Sequence, residues 1–124
     1  MPLALGLLFL VNTNSPFFTV PVHAQDLGTE AQIEWVHALH LCENRNDVPR
    51  ILDTNGKYSY GYVMFQMQTW LHFGKDFGAT KANINDDFLQ KQVALDMLKK
   101  GLWRHWYNCS NKLTKTLGAF PVGT

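Results

Sequence analysis

One acidic residue and one aromatic segment are the parts of this sequence best suited to chemistry. Glu43 stands at the predicted end of a helix, and residues 58–70 supply tyrosine, glutamine and tryptophan side chains. A carboxylic acid that stays protonated near neutral pH can donate a proton to the leaving oxygen of a glycosidic bond. Aromatic and amide side chains suit the binding of sugar rings and hydroxyls. The two features together indicate acid catalysis on a carbohydrate.

The helix before Glu43 is predicted from its start signal and its period. Thr29 and Gln32 have the spacing of a capping box. Glu43 then projects from beside the apolar face, where desolvation tends to raise the pKa of a carboxyl group. Spacing alone favours an ordinary surface residue in a last helical turn. The predicted apolar face consists of Ile33, Trp35, Val36, Leu39, His40 and Cys42.

A hairpin and further helices are predicted after Glu43. The segment 53–56 is a strong turn signal, and residues 50–52 and 57–60 on either side can pair as short strands. Gly61 would allow a ligand or another backbone to approach closely. Helical segments are predicted at about 66–73, 87–100 and 102–107. The expected fold class is therefore α+β, mostly α.

The first residues have the pattern of an export signal. Residues 3–11 are apolar and uncharged but fall short of the roughly 20 residues of a membrane-spanning helix. We expect residues 1–24 to be a secretory signal cleaved after Ala24, although no basic residue precedes the apolar run. An ordinary apolar helix or an uncleaved anchor is the alternative. Residues 25–112 then form one domain, and residues 113–124 form a frayed tail.

Charge and cysteine content narrow the possible classes of protein. The formal net charge is +1, which gives no electrostatic argument for nucleic acid as a partner. The two cysteines, Cys42 and Cys109, indicate a disulfide in an exported protein, with two free buried thiols as the alternative. No cofactor motif, zinc-ligand spacing or nucleophilic serine motif is present. We therefore expect no metal or cofactor, no stable membrane span after signal cleavage, and a monomer.

The order and spacing of these residues resemble the lysozyme-like lytic transglycosylase domains, especially the resuscitation-promoting-factor-like and small secreted members. The resemblance covers residues 30–110. It rests on Glu43 after a buried helix, on the segments 53–61 and 65–70, and on the closing segment 101–106 with its tryptophans. It implies a lysozyme-like fold with a small β-hairpin beside an active-site cleft.

The same resemblance implies the reaction and its residues. Family members of this type cleave the bond between N-acetylmuramic acid and N-acetylglucosamine in peptidoglycan strands, outside the cell or in the wall or periplasm. A single acid, here Glu43, would act first as acid and then as base while an anhydro ring closes. Asp53 is the nearby carboxylate, and turn chemistry favours a role in stabilising the Asn-Gly turn. The implied substrate contacts are Ser59, Tyr60, Gly61, Tyr62, Met64, Gln66, Trp70 and Trp106.

Two departures from the family pattern affect this hypothesis. Asn44 stands where serine is usual after the glutamate, and Met64 stands where glutamine is usual. Methionine cannot donate a hydrogen bond to a substrate amide. Gln66 is two residues further on and would point elsewhere unless the loop shifts. Reduced activity, altered contacts, a non-catalytic sugar-binding module, a hydrolytic lysozyme and a structural protein remain alternatives.

Overall fold

The computed structural model describes residues 28–122, so the predicted signal segment lies outside the described residues. The fold is mixed α+β and mostly helical, as expected, with one small antiparallel sheet. The elements in chain order are α1 (Glu30–Glu43), β1 (Arg50–Leu52), β2 (Tyr58–Tyr60), β3 (Phe65–Gln66), α2 (Met67–Phe73), the 3₁₀ helix η1 (Lys75–Phe77), α3 (Asp87–Lys99), the 3₁₀ helix η2 (Trp103–Trp106) and α4 (Tyr107–Leu117).

Helix α1 begins at the predicted capping box. The Gln32 backbone N–H donates to Thr29 Oγ1 at 3.2 Å, and the Thr29 backbone N–H donates to Gln32 Oε1 at 2.9 Å. These bonds satisfy two groups that a helix start leaves without partners. Trp35, Leu39 and His40 are buried as predicted, but Ile33 is 45% exposed. The buried face of α1 is therefore narrower than the sequence pattern suggested.

The sheet has the strand order β1-β2-β3. The predicted hairpin pairs Ile51 with Ser59, and the unpredicted strand β3 pairs Gln66 with Ser59 on the other side. Gly56 supplies the left-handed turn residue, with φ at +81°, and its N–H donates to Asp53 O at 3.0 Å. The sheet therefore places Ile51, Ser59 and Gln66 side by side across its three strands.

Helix α3 follows the predicted start and stop signals. The Leu89 N–H donates to the Asp86 side chain at 3.0 Å at its start. Gly101, with φ at +78°, follows its C-terminal end. Phe88 in the first turn of α3 is 46% exposed, whereas Val93, Met97 and Leu98 further along the helix are buried.

The predicted frayed tail after Lys112 is wrong. Helix α4 continues to Leu117, and the following residues pack against α1. The Trp35 indole N–H donates to Gly118 O at 3.0 Å, and the Gln32 amide donates to Pro121 O at 2.8 Å. The Phe120 ring lies edge-on to Trp35 at 5.5 Å. These contacts hold the end of the chain on the start of α1.

One core holds the elements together. Within it the Phe65 ring lies 5.2 Å from Trp70 and 5.5 Å from Trp106. The predicted disulfide is present between Cys42 and Cys109. No helix within residues 28–122 has the length and apolar character needed to cross a bilayer. The buried core residues from α1, the sheet and the later helices include Leu39, Val63, Phe65, Trp70, Val93, Met97, Trp106 and Leu113.

Candidate active site

A cleft of about 400 Å³ opens beside the C-terminal end of α1. Glu43 contributes its side chain from that helix end. One wall comes from the sheet, and the opposite wall comes from η2 and the first turn of α4. Sheet residues in the lining are Ile51, Asp53, Ser59 and Gln66, and residues of the opposite wall are Arg104, His105, Tyr107 and Asn108.

Glu43 has the environment that a general acid needs. Partial burial raises the pKa of Glu43 from its usual 4.5 to about 7, and the negative charge of Asp53 adds to the increase. Among the described residues, no side chain donates a hydrogen bond to the Glu43 carboxyl group. The carboxyl group is therefore protonated in a large part of the molecules at neutral pH, and its proton is available to a ligand in the cleft.

Asp53 lies in the cleft, and it also takes part in the predicted turn. Its carboxylate accepts hydrogen bonds from Ser59 Oγ and from Gln66 Nε2, the latter at 3.1 Å, and both donors reach Oδ2. The backbone of Asp53 holds the turn, because its N–H donates to Lys57 O at 2.8 Å and its carbonyl oxygen accepts from the Gly56 N–H at 3.0 Å. The cleft thus contains two carboxyl groups from different elements.

Gln66, one of the substrate contacts that the resemblance implies, also lies in the cleft. The short strand β3 places it opposite Ser59 on the same face of the sheet. Its amide exchanges hydrogen bonds with the Asn55 side chain at 3.2 and 3.3 Å, besides the bond to Asp53. The sequence did not predict the strand β3 that carries Gln66, because a two-residue strand has no detectable period.

Met64 lines the cleft in an unusual backbone conformation. Its φ is +59°, a region that residues other than glycine seldom occupy. Its N–H donates to Gly61 O at 3.1 Å, which closes a tight turn between β2 and β3. The thioether is therefore held at the cleft surface by the turn, and it offers a ligand apolar contact without a donor.

Asn44, the other departure from the family pattern, is buried and links two loops by hydrogen bonds. Its Nδ2 donates to Val48 O at 2.9 Å and to Gly61 O at 2.8 Å, and its Oδ1 accepts from the Val48 N–H at 2.9 Å. The side chain is 3% exposed. Asn44 thus joins the loop after α1 to the turn after β2, and this role explains an amide at this position.

Gly61 allows a close approach, but the neighbour is a protein side chain. A β-carbon at Gly61 would lie 2.4 Å from Gln90 Nε2. The Gln90 amide donates to Tyr60 O at 2.9 Å and accepts from the Val63 N–H at 2.9 Å. Gly61 therefore lets Gln90 of α3 hold the turn that carries Met64, and it does not face the cleft.

Several predicted substrate contacts lie outside the cleft. Tyr62 is buried, with its ring stacked on His40 at 3.9 Å and its hydroxyl 3.2 Å from His37 Nδ1. Tyr60 lines a separate groove on the other face of the sheet. Trp70 is fully buried, and its indole N–H donates to Thr80 O at 2.9 Å. The structure does not bring these three side chains together with Glu43.

Three predicted contacts do line the cleft with Glu43, namely Ser59, Met64 and Gln66. Trp106 also borders it but is 3% exposed. The Trp106 indole N–H donates to Val63 O at 2.8 Å, so Trp106 supports the cleft as a buried core residue.

The wall from η2 and α4 contains residues that the sequence analysis did not single out. Tyr107 is 56% exposed, and its ring stacks on Trp103 at 5.9 Å. Partial burial lowers the pKa of His105, so its imidazole is neutral at neutral pH. In the sequence, the feature that could have indicated this wall is the density of aromatic and polar residues in the segment 103–108.

Within the described part of the chain, no three His, Cys, Asp or Glu side chains are grouped as metal ligands would be. Comparison with known protein families, curated proteins and solved structures gave no match. A functional conclusion for this chain therefore depends on the geometry and chemistry of the cleft.

Proposed function

We propose that this protein is a secreted enzyme that cleaves the MurNAc–GlcNAc bond of peptidoglycan in a lysozyme-like fold, with Glu43 as general acid. The resemblance in the sequence names the substrate and the reaction. Secretion is proposed from the N-terminal signal pattern, and the Cys42–Cys109 disulfide is compatible with an oxidising compartment. The substrate would then be met outside the cytoplasm.

The observation that carries the proposal is the state of Glu43. A glycosidase needs one carboxyl group that keeps its proton at the working pH, and desolvation in this cleft raises the pKa of Glu43 to about 7. The surrounding walls carry polar side chains, including Gln66 and the exposed Asn108. These groups suit the hydroxyl and acetamido groups of a sugar strand.

The expected reaction needs one carboxyl group for two steps. Glu43 donates its proton to the bridging oxygen as the bond from that oxygen to the anomeric carbon breaks. The resulting Glu43 carboxylate then accepts the proton of the sugar's own 6-hydroxyl while that oxygen bonds to the anomeric carbon. The products are a strand with a free 4-hydroxyl and a strand ending in an anhydro ring, and Glu43 regains its proton.

The test is cleavage of purified sacculi followed by mass spectrometry of the released muropeptides. The Glu43→Gln variant keeps the shape of the side chain but has no acidic proton to transfer, so release should fall below detection. Glu34→Gln provides a matched control, because Glu34 is exposed on the same helix. Undiminished release by Glu43→Gln would exclude Glu43 as the acid.

Met64 favours a second candidate, a sugar-binding module without activity. Its thioether occupies the cleft surface and cannot donate a hydrogen bond to a substrate amide. In that case the wild-type protein would sediment with sacculi and release no muropeptide. Release that depends on Glu43 would rule this candidate out.

A further inference from the structure

We infer that Arg104 binds a carboxylate of the peptide substituents on the glycan strand, so that this cleft selects strands with acidic peptides over uncharged ones. The inference rests on the proposed function, because it names the part of the same substrate that the wall opposite the sheet recognises. Arg104 belongs to η2 and lines the cleft together with Glu43. The residue is exposed, so a ligand in the cleft can reach its side chain.

The charged groups of the cleft lie on different walls. Glu43 at the end of α1 and Asp53 after β1 supply two carboxyl groups, and the charge of Asp53 helps to raise the pKa of Glu43. Arg104 is not among the causes of that shift, so it is not the counter-charge of the acid. Among the described residues that line the cleft, Arg104 is the sole lysine or arginine. Its positive charge is therefore separate from the groups proposed for bond cleavage.

Aromatic rings hold Arg104 in place without neutralising its charge. Its guanidinium carbon lies 5.0 Å from the centre of the Trp103 ring, which is a cation–π contact. The Trp103 ring is in turn stacked on Tyr107. Within residues 28–122, no carboxylate lies within ion-pair distance of Arg104. The cation is thus supported at the cleft and available to an acidic group of a ligand.

The chemistry of the strand decides which group such a cation would bind. The sugar rings carry hydroxyl and acetamido groups, which are uncharged. Where a peptide is attached, the lactyl group of the muramic acid forms an amide bond, so the negative charges lie on the carboxylates of the peptide. A guanidinium group recognises a carboxylate through two parallel hydrogen bonds. A cation in the wall of the cleft therefore favours strands that carry acidic peptides.

A structural role does not account for the charge of Arg104. The neighbouring Trp106 anchors η2 in the core, because it is 3% exposed and its ring lies 5.5 Å from Phe65. The Ser110 hydroxyl donates to Trp103 O at 3.2 Å and joins η2 to α4. Neither contact involves the side chain of Arg104, so its replacement should leave the fold intact.

The test compares two forms of the same purified sacculi. Free amines are acetylated in both forms, and in one form the peptide carboxylates are then converted to neutral N-methylamides with a carbodiimide and methylamine. Mass spectrometry measures the rate at which muropeptides are released from each form. The wild-type protein should cleave the charged form about 10-fold faster, which is the usual effect of a hydrogen bond to a charged group. In Arg104→Gln this ratio should fall to about 1.

The ratio does not depend on how much of the protein is folded, because both rates come from one sample. Lys115→Gln is the matched control, since it removes a positive charge from an exposed position of α4 outside the cleft lining. This variant should keep the wild-type ratio, and an equal loss in both variants would overturn the inference. A wild-type ratio of 1, or an unchanged ratio in Arg104→Gln, would also overturn it while leaving the proposed function intact. A wild-type protein that releases no muropeptide from either form would defeat both.

Discussion

Cys42 of α1 and Cys109 of α4 are joined by a disulfide, with their α-carbons 5.8 Å apart. Cys42 immediately precedes Glu43 at the end of α1, and Cys109 immediately follows Asn108 in the first turn of α4. The bond therefore links the helix end that carries the acid to the wall that faces the sheet.

Removal of this disulfide should cost much of the stability of the fold. The two cysteines are 67 residues apart, and closing a loop of that length contributes about 4 kcal/mol in the chain-entropy model. We expect Cys42→Ser/Cys109→Ser to lower the free energy of unfolding by about that amount. Urea denaturation followed by circular dichroism measures it, and a midpoint equal to that of the wild type would contradict this role.

The charge on Glu43 should make the protein less stable as the pH rises. The folded pKa of about 7 lies above the usual 4.5, so between these values the folded state binds more protons than the unfolded state. The free energy of unfolding should fall by at most about 3 kcal/mol between pH 4.5 and about pH 7, and it should then level off.

Glu43→Gln should remove this pH dependence. The variant should unfold at higher urea than the wild type at pH 8, with no such gain at pH 4, because the wild-type carboxyl group is already neutral there. Denaturation at the two pH values, with Glu34→Gln as control, provides the measurement. If the urea midpoints of the variant and the wild type differed by the same amount at both pH values, the ionisation of Glu43 would not be the cause of the difference.

The rate of cleavage should have an alkaline limb set by Glu43. Because the acid must be protonated, kcat/KM should fall as the pH rises past about 7. In Asp53→Asn the limb should move to lower pH, since a neighbouring negative charge is removed while the desolvation remains. Total bond cleavage measured as a function of pH tests both statements. A limb that stays in place would show that the Asp53 charge does not act on Glu43.

Asn44 should matter for stability through its three hydrogen bonds to Val48 and Gly61. Asn44→Ala should lower the free energy of unfolding by about 3 kcal/mol, because it leaves buried backbone groups without partners. Asn46→Ala, at an exposed neighbouring position, is the control. If urea denaturation showed wild-type stability in Asn44→Ala, the hydrogen bonds of Asn44 would not be needed to hold the two loops together.

Local signals in the sequence predicted much of the secondary structure. The capping box of Thr29 and Gln32, the turn at Gly56 and the cap at Asp86 involve residues within four positions of each other. Such contacts depend on neighbouring residue types and on backbone preferences, so the sequence shows them directly. The disulfide was predicted from cysteine number and an inferred compartment, and it is confirmed.

The sequence could not show which polar side chains share the cleft. Gln66 reaches Asp53 across 13 positions of the chain, and Gln90 reaches Tyr60 across 30. The resemblance implied Tyr62 and Trp70 as substrate contacts, although both are buried outside the cleft, because a match of residue order does not reveal which neighbours cover a side chain.

The sequence by itself determined helices α1 to α3, the hairpin and the cysteine pair, because each depends on local pattern or residue type, and the resemblance to a known family named the candidate acid. The tertiary structure alone decided that Asp53 and Glu43 line one cleft and that Asn44 and Gly61 support it. It also decided the protonation of Glu43, because desolvation and charge proximity are properties of the packed chain.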